Sequence, residues 1–341
     1  MIRLSISVLS ICSLVSSAFS QQDSYYAHFM FNQQAFNPAA AGITDDYFCI
    51  SAVGHNQWLG FDDQTWLNRN TGDYDGVDIL PYNVAPATYN VNVSGQLVIN
   101  GVRIGGLGLS ITDDRLGAMK TTSIKSQMSY FVQFRNGNRL AIGGEAALTN
   151  FGFVNPQFRP RQINDPKIPT VGITKSKPDF SGGLYYQQPR FLRQLHSFFV
   201  GMSMQHINQA SYRLVARDFD LTYQMKPHYY VTSGFTKPSR SGLFDFKPSV
   251  LIKYNSEPQI NVNLIVERNK QYRFGLGYRQ GGNADAVIAY LGYVKQSFVL
   301  GYSYDITASK INRVSSGTHE LAVKWCIQKK TSFYHKTPRE M

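Results

Sequence analysis

Apolar and polar side chains alternate along most of the chain after residue 46. In one segment Tyr89, Val91 and Val93 share one face, and Asn90 and Asn92 share the other. A period of two is typical of a β-strand whose two faces meet different surroundings. The pattern predicts fourteen strands, at 47–57, 89–100, 104–112, 121–135, 139–150, 179–188, 197–205, 228–236, 246–255, 259–267, 271–279, 284–294, 298–306 and 318–327.

The connections between these strands are alternately short and long. The short set includes 101–103, 136–138, 268–270 and 295–297, and the long set includes 58–88, 151–178, 206–227 and 307–317. Membrane barrels have short periplasmic turns, longer outer loops and tilted strands of about 9–11 residues. The sequence therefore predicts an all-β, transmembrane antiparallel barrel over 47–327. A soluble two-sheet sandwich is the alternative, because it alternates in the same way but does not sort its connections.

In a barrel, one face of each strand points into the lumen and the other points to the membrane. The polar faces, rich in Asn and Gln, would line the lumen. Aromatic residues near strand ends would form girdles at the membrane interfaces. The candidates are Tyr47, Tyr185, Tyr186, Tyr229, Tyr230 and Tyr293.

Composition agrees with a strand-rich protein. Only 16% of the residues are charged, against roughly 25% in ordinary soluble domains, and there are 21 Tyr and 22 Phe. The formal net charge is +12, which would suit a nucleic-acid partner. The basic residues are scattered and form no Lys/Arg-rich run, so nucleic acid is not a predicted partner.

The first twenty residues read as a secretory signal peptide. Arg3 provides a positive start, residues 4–15 are apolar, and 18–20 form a small-x-small cleavage site. Residues 21–46 would then be a short periplasmic segment before the first strand, able to plug the lumen or dock a partner. An even number of strands puts both termini in the periplasm, the second terminus being a basic tail at 328–341. That tail is either a solvated end or a contact for an acidic partner.

Two of the three cysteines lie at opposite ends of the sequence of the predicted barrel and at the same, periplasmic end of the barrel itself. Cys49 is near the start of the first strand and Cys326 near the end of the last, whereas Cys12 falls in the signal peptide. The first and last strands of a closed barrel are neighbours, and an oxidising compartment permits a disulfide between them. The alternative is two separate thiols.

Several short motifs occur in a fixed order. They read HFMFN at 28–32, FNPAAAG at 36–42, HNQWLGF at 55–61, GLGLSITDDRLG at 106–117, KPSVLIK at 247–253, GYSYDI at 301–306 and HEL at 319–321. In this order they resemble the PorP/SprF family, outer-membrane proteins of the type IX secretion system of the Bacteroidetes. His55 stands where the family pattern usually has Arg, and residues 62–82 form a longer loop than is usual.

The resemblance implies a fold and a non-enzymatic function. Family members are fourteen-stranded outer-membrane barrels in contact with lipid. They dock periplasmic components of the type IX machinery, and some support export of a large surface adhesin used in gliding or attachment. The resemblance implies a partner-docking role for seven residues: Phe29, Asn32, Asn37, Pro38, Gly42, Trp58 and Gly60.

Other functions have less support in the sequence. A porin or small-molecule transporter is the main alternative and would need an open lumen. An enzyme would need a nucleophile–base signature, which is missing. No H-E-x-x-H or C-x-x-C motif predicts a metal site, and no cofactor is predicted. Asp73, Asp75 and Asp78 could contribute oxygen ligands for Ca²⁺ in the long first loop.

Overall fold

The computed structural model describes residues 23–24, 26–43, 48–61, 85–100, 102–154, 169, 171–189, 191–192, 195–216, 219–281, 285–308 and 315–327. Two short 3₁₀ helices, Gln33–Ala35 and Pro38–Ala40, precede the strands. The described strands are β1 Phe48–Asn56, β2 Ala87–Ile99, β3 Val102–Leu116, β4 Met119–Gln133, β5 Arg139–Phe153, β6 Ile173–Gln188, β7 Ser197–Gln205, β8 Ser211–Ala216, β9 Phe219–Gln224, β10 His228–Pro238, β11 Phe244–Tyr254, β12 Pro258–Arg268, β13 Tyr272–Gln280, β14 Ala286–Lys295, β15 Phe298–Thr307 and β16 Thr318–Ile327.

Fourteen of these strands, all except β8 and β9, form one closed antiparallel barrel. Consecutive barrel strands pair with each other, and β1 closes the ring against β16, with Phe48 opposite Ile327 and Asn56 opposite His319. All fourteen predicted strands are confirmed, and the two-sheet sandwich is excluded by the closed ring. Closure pairs every strand on both sides, which removes the exposed edges of an open sheet.

The barrel has two different ends. We call the end at which β2, β4, β6, β10, β12, β14 and β16 finish the short-turn mouth. The opposite end, at which β1, β3, β5, β7, β11, β13 and β15 finish, is the long-loop mouth. The predicted sorting of connections is therefore present, with 189–196 and 239–243 as the longer members of the short set.

The two faces of the wall have opposite chemistry. On β2 the outward Tyr89 and Val91 are 51% and 45% exposed, whereas the inward Asn90 and Asn92 are each 1% exposed. This confirms the predicted polar lumen. Within the described residues, no helix is long and apolar enough to cross a membrane.

The predicted aromatic girdle is wrong in two places. Tyr229 and Tyr293 face outward as expected, but the side chains of Tyr185 and Tyr230 point into the lumen, where both are buried. Adjacent strand residues point to opposite faces, so Tyr229 and Tyr230 cannot both reach the outer surface. Tyr47 lies outside the described residues, as do the predicted signal peptide 1–20, the tail 328–341 and Asp73, Asp75 and Asp78.

The segment predicted as the loop 206–227 contains an additional hairpin. Strands β8 and β9 pair with each other, and Tyr212 and Leu214 of β8 are buried against Phe151 and Phe153 of β5. On its outer side Arg213 donates to both carboxylate oxygens of Asp220, at 3.1 and 2.6 Å, which holds the pKa of Asp220 below its ordinary value. The hairpin gives the long-loop mouth an apolar core of its own.

Cys49 and Cys326 are joined by a disulfide across the β1–β16 seam. The two residues are direct partners in the strand register. Both side chains are buried on the lumen side, each 6% exposed. The bond links positions 277 residues apart, so it ties the first barrel strand to the last.

We expect the native protein to contain this bond. Alkylation of the unreduced, denatured protein should therefore modify neither Cys49 nor Cys326, as read by intact mass. Cross-links of this kind stabilise proteins by about 2–4 kcal/mol, so reduction should lower the temperature at which the folded barrel unfolds on a gel. A Cys49→Ser/Cys326→Ser variant is the control and should be insensitive to reductant. Complete alkylation without reduction would contradict the prediction.

Candidate functional site in the barrel lumen

The N-terminal segment runs through the lumen from one mouth to the other. At the long-loop mouth the backbone amide of Asp23 lies 3.3 Å from Nε2 of His228, the first residue of β10. At the short-turn mouth the carbonyl oxygen of Ile43 accepts from Nη1 of Arg139, the first residue of β5, at 3.1 Å. We call residues 26–43 the plug. Asp23 thus lies at the long-loop mouth and Ile327, the last residue of β16, at the short-turn mouth. The location of both termini in the periplasm stays a prediction.

Glu320 is the main electrostatic contact between the plug and the wall. Its carboxylate accepts the backbone amides of Ala27 and His28 at 2.8 and 2.7 Å. The imidazoles of His28 and His55 also contact it, each through Nδ1 at 2.8 Å. A buried carboxylate is costly unless it is hydrogen-bonded and paired. Here four groups from the plug and from β1 surround it.

Side-chain amides hold the middle of the plug. Nδ2 of Asn32 donates to Oδ1 of Asn90 at 2.8 Å, and Nδ2 of Asn92 donates to Oδ1 of Asn32. Asn37 caps the second 3₁₀ helix by accepting from the amide of Ala39. The Nδ2 group of Asn37 donates to the carbonyl oxygens of Leu184 and Met202, at 2.9 and 3.2 Å. The wall thus binds the plug through both side chains and backbone.

Glycines in the wall let the plug backbone approach closely. A Cβ on Gly143 would overlap the backbone nitrogen and Cα of Ala39, and one on Gly106 would overlap Ala41 and Gly42. Gly42 itself has φ +63°, a conformation that other residues rarely adopt. A Cβ on Gly108 would likewise meet Gln34 of the plug, whereas one on Gly105 would meet the backbone of Ser129 on β4.

The residues predicted to dock a partner fall into two groups. Phe29, Asn32, Asn37, Pro38 and Gly42 are all buried in the plug. They contact the barrel wall over the described residues, and their partner-docking role stays a prediction. The segment 21–46, predicted as a periplasmic segment able to plug the lumen or dock a partner, lies inside the barrel over its described residues 26–43.

Trp58 and Gly60 lie apart from the plug, in the turn that follows β1 at the long-loop mouth. Leu59 between them exchanges backbone hydrogen bonds with the β15–β16 connection, to Gly317 at 2.8 Å and from Ser316 at 2.7 Å. Trp58 has φ 51° and Gly60 has φ 80°, so two left-handed residues fix the turn. The Trp58 ring packs edge-on against Phe61.

Sequence reasoning missed several residues of the lumen. Glu320, Tyr185, Tyr230 and Gly143 all contact the plug, but each lies more than 100 positions away from it in sequence. The available signal was their place on the inward face of a predicted strand. That signal identifies a lumen residue without identifying what fills the lumen. Near the other end of the plug, Asp23, His206 and His228 bring three possible metal-binding atoms within 4.8 Å of one another.

The glycine contacts predict a matched pair of variants. Gly143→Ala should displace the plug, because the new methyl group overlaps Ala39 backbone. Overpacking of this kind costs about 1–3 kcal/mol, so the unfolding temperature of the barrel should fall. Gly144→Ala is the control, since a Cβ there meets nothing within 4 Å. Equal unfolding temperatures for the two variants would contradict the close approach at Gly143.

Solved structures with a similar fold include a FadL homologue, a toluene transporter and a monoaromatic hydrocarbon channel. A FadL homologue from Pseudomonas aeruginosa is 14% identical with a TM-score of 0.45, over 86% of this chain and 94% of that one. The toluene transporter TodX of Pseudomonas putida is 7% identical with a TM-score of 0.45, over 85% and 90%. The monoaromatic hydrocarbon channel CymD is 11% identical with a TM-score of 0.47, over 90% and 94%. These similarities are too low to carry a function.

No curated protein matches the chain. A family match, in contrast, covers residues 18–325, which includes the plug, the turn at Trp58 and all of the barrel except the last two residues of β16. The matching family is described as the type IX secretion system membrane protein PorP/SprF. The motif order, the closed fourteen-stranded barrel and this match agree, and the chain belongs to the PorP/SprF family of type IX secretion system membrane proteins.

Proposed function

We propose that this protein is a docking component of the type IX machinery rather than a pore. In this proposal the short-turn mouth faces the periplasm and binds components of the machinery, and the long-loop mouth supports export or anchoring of a large surface adhesin. Family membership and the barrel fold support a location in the outer membrane. The observation that carries the proposal is the plug.

The plug favours docking over transport. Phe29 and Ala41 have no exposed surface, and Phe36 is 2% exposed, so the plug packs against the wall on several sides. Its hydrogen bonds reach Asn90 on β2, Asn263 on β12 and Ser203 on β7. A porin or small-molecule transporter needs an open path, and here the segment would first have to leave.

The short-turn mouth has the charge expected of a docking surface. Six exposed basic residues lie at or beside its turns: Arg135, Lys237, Arg240, Arg268, Lys270 and Lys295. β16 also ends at this mouth, and the basic tail 328–341 follows it in sequence. Such a surface attracts an acidic partner, and the attraction weakens as salt screens it. We call these six residues the basic rim.

Charge reversal at the basic rim tests the docking. We expect Arg268→Glu/Lys270→Glu to reduce several-fold the recovery of type IX components in a detergent pull-down from native outer membranes, read by quantitative mass spectrometry. Lys175→Glu/Lys177→Glu is the control, because it makes the same charge change on exposed residues at the long-loop mouth. It should leave this recovery unchanged.

The same pull-down tests the cargo. The native protein should also recover a very large exported adhesin, and Trp58→Ala should lower that recovery without affecting the machinery. Recovery of the barrel alone, under conditions that keep other outer-membrane complexes intact, would overturn the docking proposal. Equal losses of recovered type IX components from both charge-reversal pairs would exclude the basic rim as the docking surface.

Conductance tests the alternative function. We expect the purified protein to show no stable open-channel current in a planar lipid bilayer, because the plug fills the lumen. A variant lacking residues 26–42, checked for barrel folding by heat-dependent gel mobility, should conduct. Steady currents through the unaltered protein, comparable to those of the deletion variant, would favour transport.

A further inference from the structure

Asp23, His206 and His228 converge just above the plug, at the long-loop mouth. Asp23 precedes the plug, His206 follows β7, and His228 begins β10. Oδ1 of Asp23 lies 3.0 Å from Nε2 of His206, and the donor atoms of all three residues lie within 4.8 Å of one another. They line a cavity of about 100 Å³ that also touches Tyr26 and Tyr223. A cavity of this size has room for water beside the three side chains.

The hydrogen bonds of His228 fix its tautomer. Nδ1 lies 3.0 Å from the backbone carbonyl oxygen of Lys226, an acceptor, so Nδ1 carries the proton. Nε2 faces two donors, Nδ2 of Asn255 at 2.9 Å and the amide of Asp23 at 3.3 Å. Nε2 therefore accepts these two hydrogen bonds, and Nδ1 is the His228 atom that approaches the Asp23 carboxylate, 3.6 Å from Oδ2. A neutral imidazole is the form that binds a metal ion, and a cation would replace one of these hydrogen bonds of His228.

His206 lies between two carboxylates. Its Nδ1 is 2.6 Å from Oδ2 of the buried Asp179, and its Nε2 is 3.0 Å from Oδ1 of Asp23. A carboxylate that holds the far nitrogen of a metal-binding histidine is the usual second partner at zinc sites. Asp179 is placed for that role, and a cation between His206 and Asp23 would take the position of the Nε2 proton.

The neighbouring groups leave the Asp23 carboxylate directed at the histidines. Lys253 donates to the backbone oxygen of Asp23 and not to its carboxylate. Lys125, which also lines the cavity, lies 3.4 Å from Glu145. The hydroxyl of Tyr230 donates to Oδ2 of Asp23 at 2.9 Å, which leaves Oδ1 on the histidine side.

We propose that Asp23, His206 and His228 bind one divalent transition-metal ion of the zinc class. Two imidazole nitrogens and one carboxylate oxygen are ligands that Zn²⁺ accepts in tetrahedral sites, with water in the fourth position. The ion would join the start of the N-terminal segment to β7 and β10. It would hold the start of the plug at the long-loop mouth. A chelator would remove the ion and so free this end of the plug. This proposal is independent of docking at the basic rim.

Metal analysis of the folded protein tests the site. The full chain is purified in detergent with a tag that contains no histidine, stripped with a chelator, incubated with Zn²⁺ and desalted. We expect one Zn²⁺ per chain by elemental analysis. Asp23→Asn and His228→Gln should each retain less than about one-tenth of that, because losing one of three ligands costs at least what losing an outer-shell partner costs. His196→Gln, an exposed histidine at the short-turn mouth, is the control and should bind as the unaltered protein does.

Two further measurements keep the test decisive. Heat-dependent gel mobility must show that each variant forms the barrel, and Asp23→Asn preserves the shape of the side chain if His228→Gln does not fold. Zn²⁺ should raise the unfolding temperature of the unaltered protein and of His196→Gln, but not that of Asp23→Asn. Failure of the folded, unaltered protein to bind Zn²⁺ would overturn the proposal, as would equal binding by Asp23→Asn. The cluster would then be a hydrogen-bonded ion pair alone.

Discussion

The polar side chains on the inner face of the barrel need hydrogen-bond partners away from bulk water. The rest of the structure depends on where those partners come from. Asn, Gln, Glu and Ser side chains line the lumen, whereas the outward faces of the same strands are apolar. Buried polar groups are stable only with partners. The chain provides those partners from its own N-terminal segment, whose backbone carbonyls and amides meet the side chains of the wall. The wall glycines complete the fit by admitting that backbone.

The plug and the closure of the barrel share one residue. Glu320 of β16 lies directly opposite His55 of β1 in the strand register and binds it, while its carboxylate also holds Ala27 and His28 of the plug. The Cys49–Cys326 disulfide crosses the same seam nearer the short-turn mouth. The seam is thus joined by a covalent bond toward one mouth and by an electrostatic contact toward the other. Because Glu320 belongs to both the seam and the plug contacts, a change in the plug also affects the seam. The usual Arg of the family would put a fixed positive charge where this chain has His55.

Local periodicity accounts for what could be predicted from the sequence. The strands follow from the alternation of apolar and polar residues. The pairing of Cys49 with Cys326 follows because the first and last strands of a closed ring are neighbours. The path of the plug could not be predicted, because residues 26–43 have no period and their hydrogen bonds reach positions as far away as 320. Tyr185 and Tyr230 lie near strand ends, where girdle residues occur, but alternation with Tyr186 and Tyr229 places both on the inward face. Asp23, His206 and His228 have no motif spacing, since three separate parts of the fold bring them together.

The path of the plug also bears on the order of assembly. β1 and β16 lie at opposite ends of the barrel sequence, so their pairing closes the longest loop and is the costliest contact to form early. Glu320 acquires its full set of partners only when the seam and the plug are both present. In the finished barrel the lumen is occupied by the chain's own N-terminal segment, and Glu320 links that occupancy to the closed seam. Any change that empties the lumen also takes two backbone amides and one imidazole from the residue that pairs the last strand with the first.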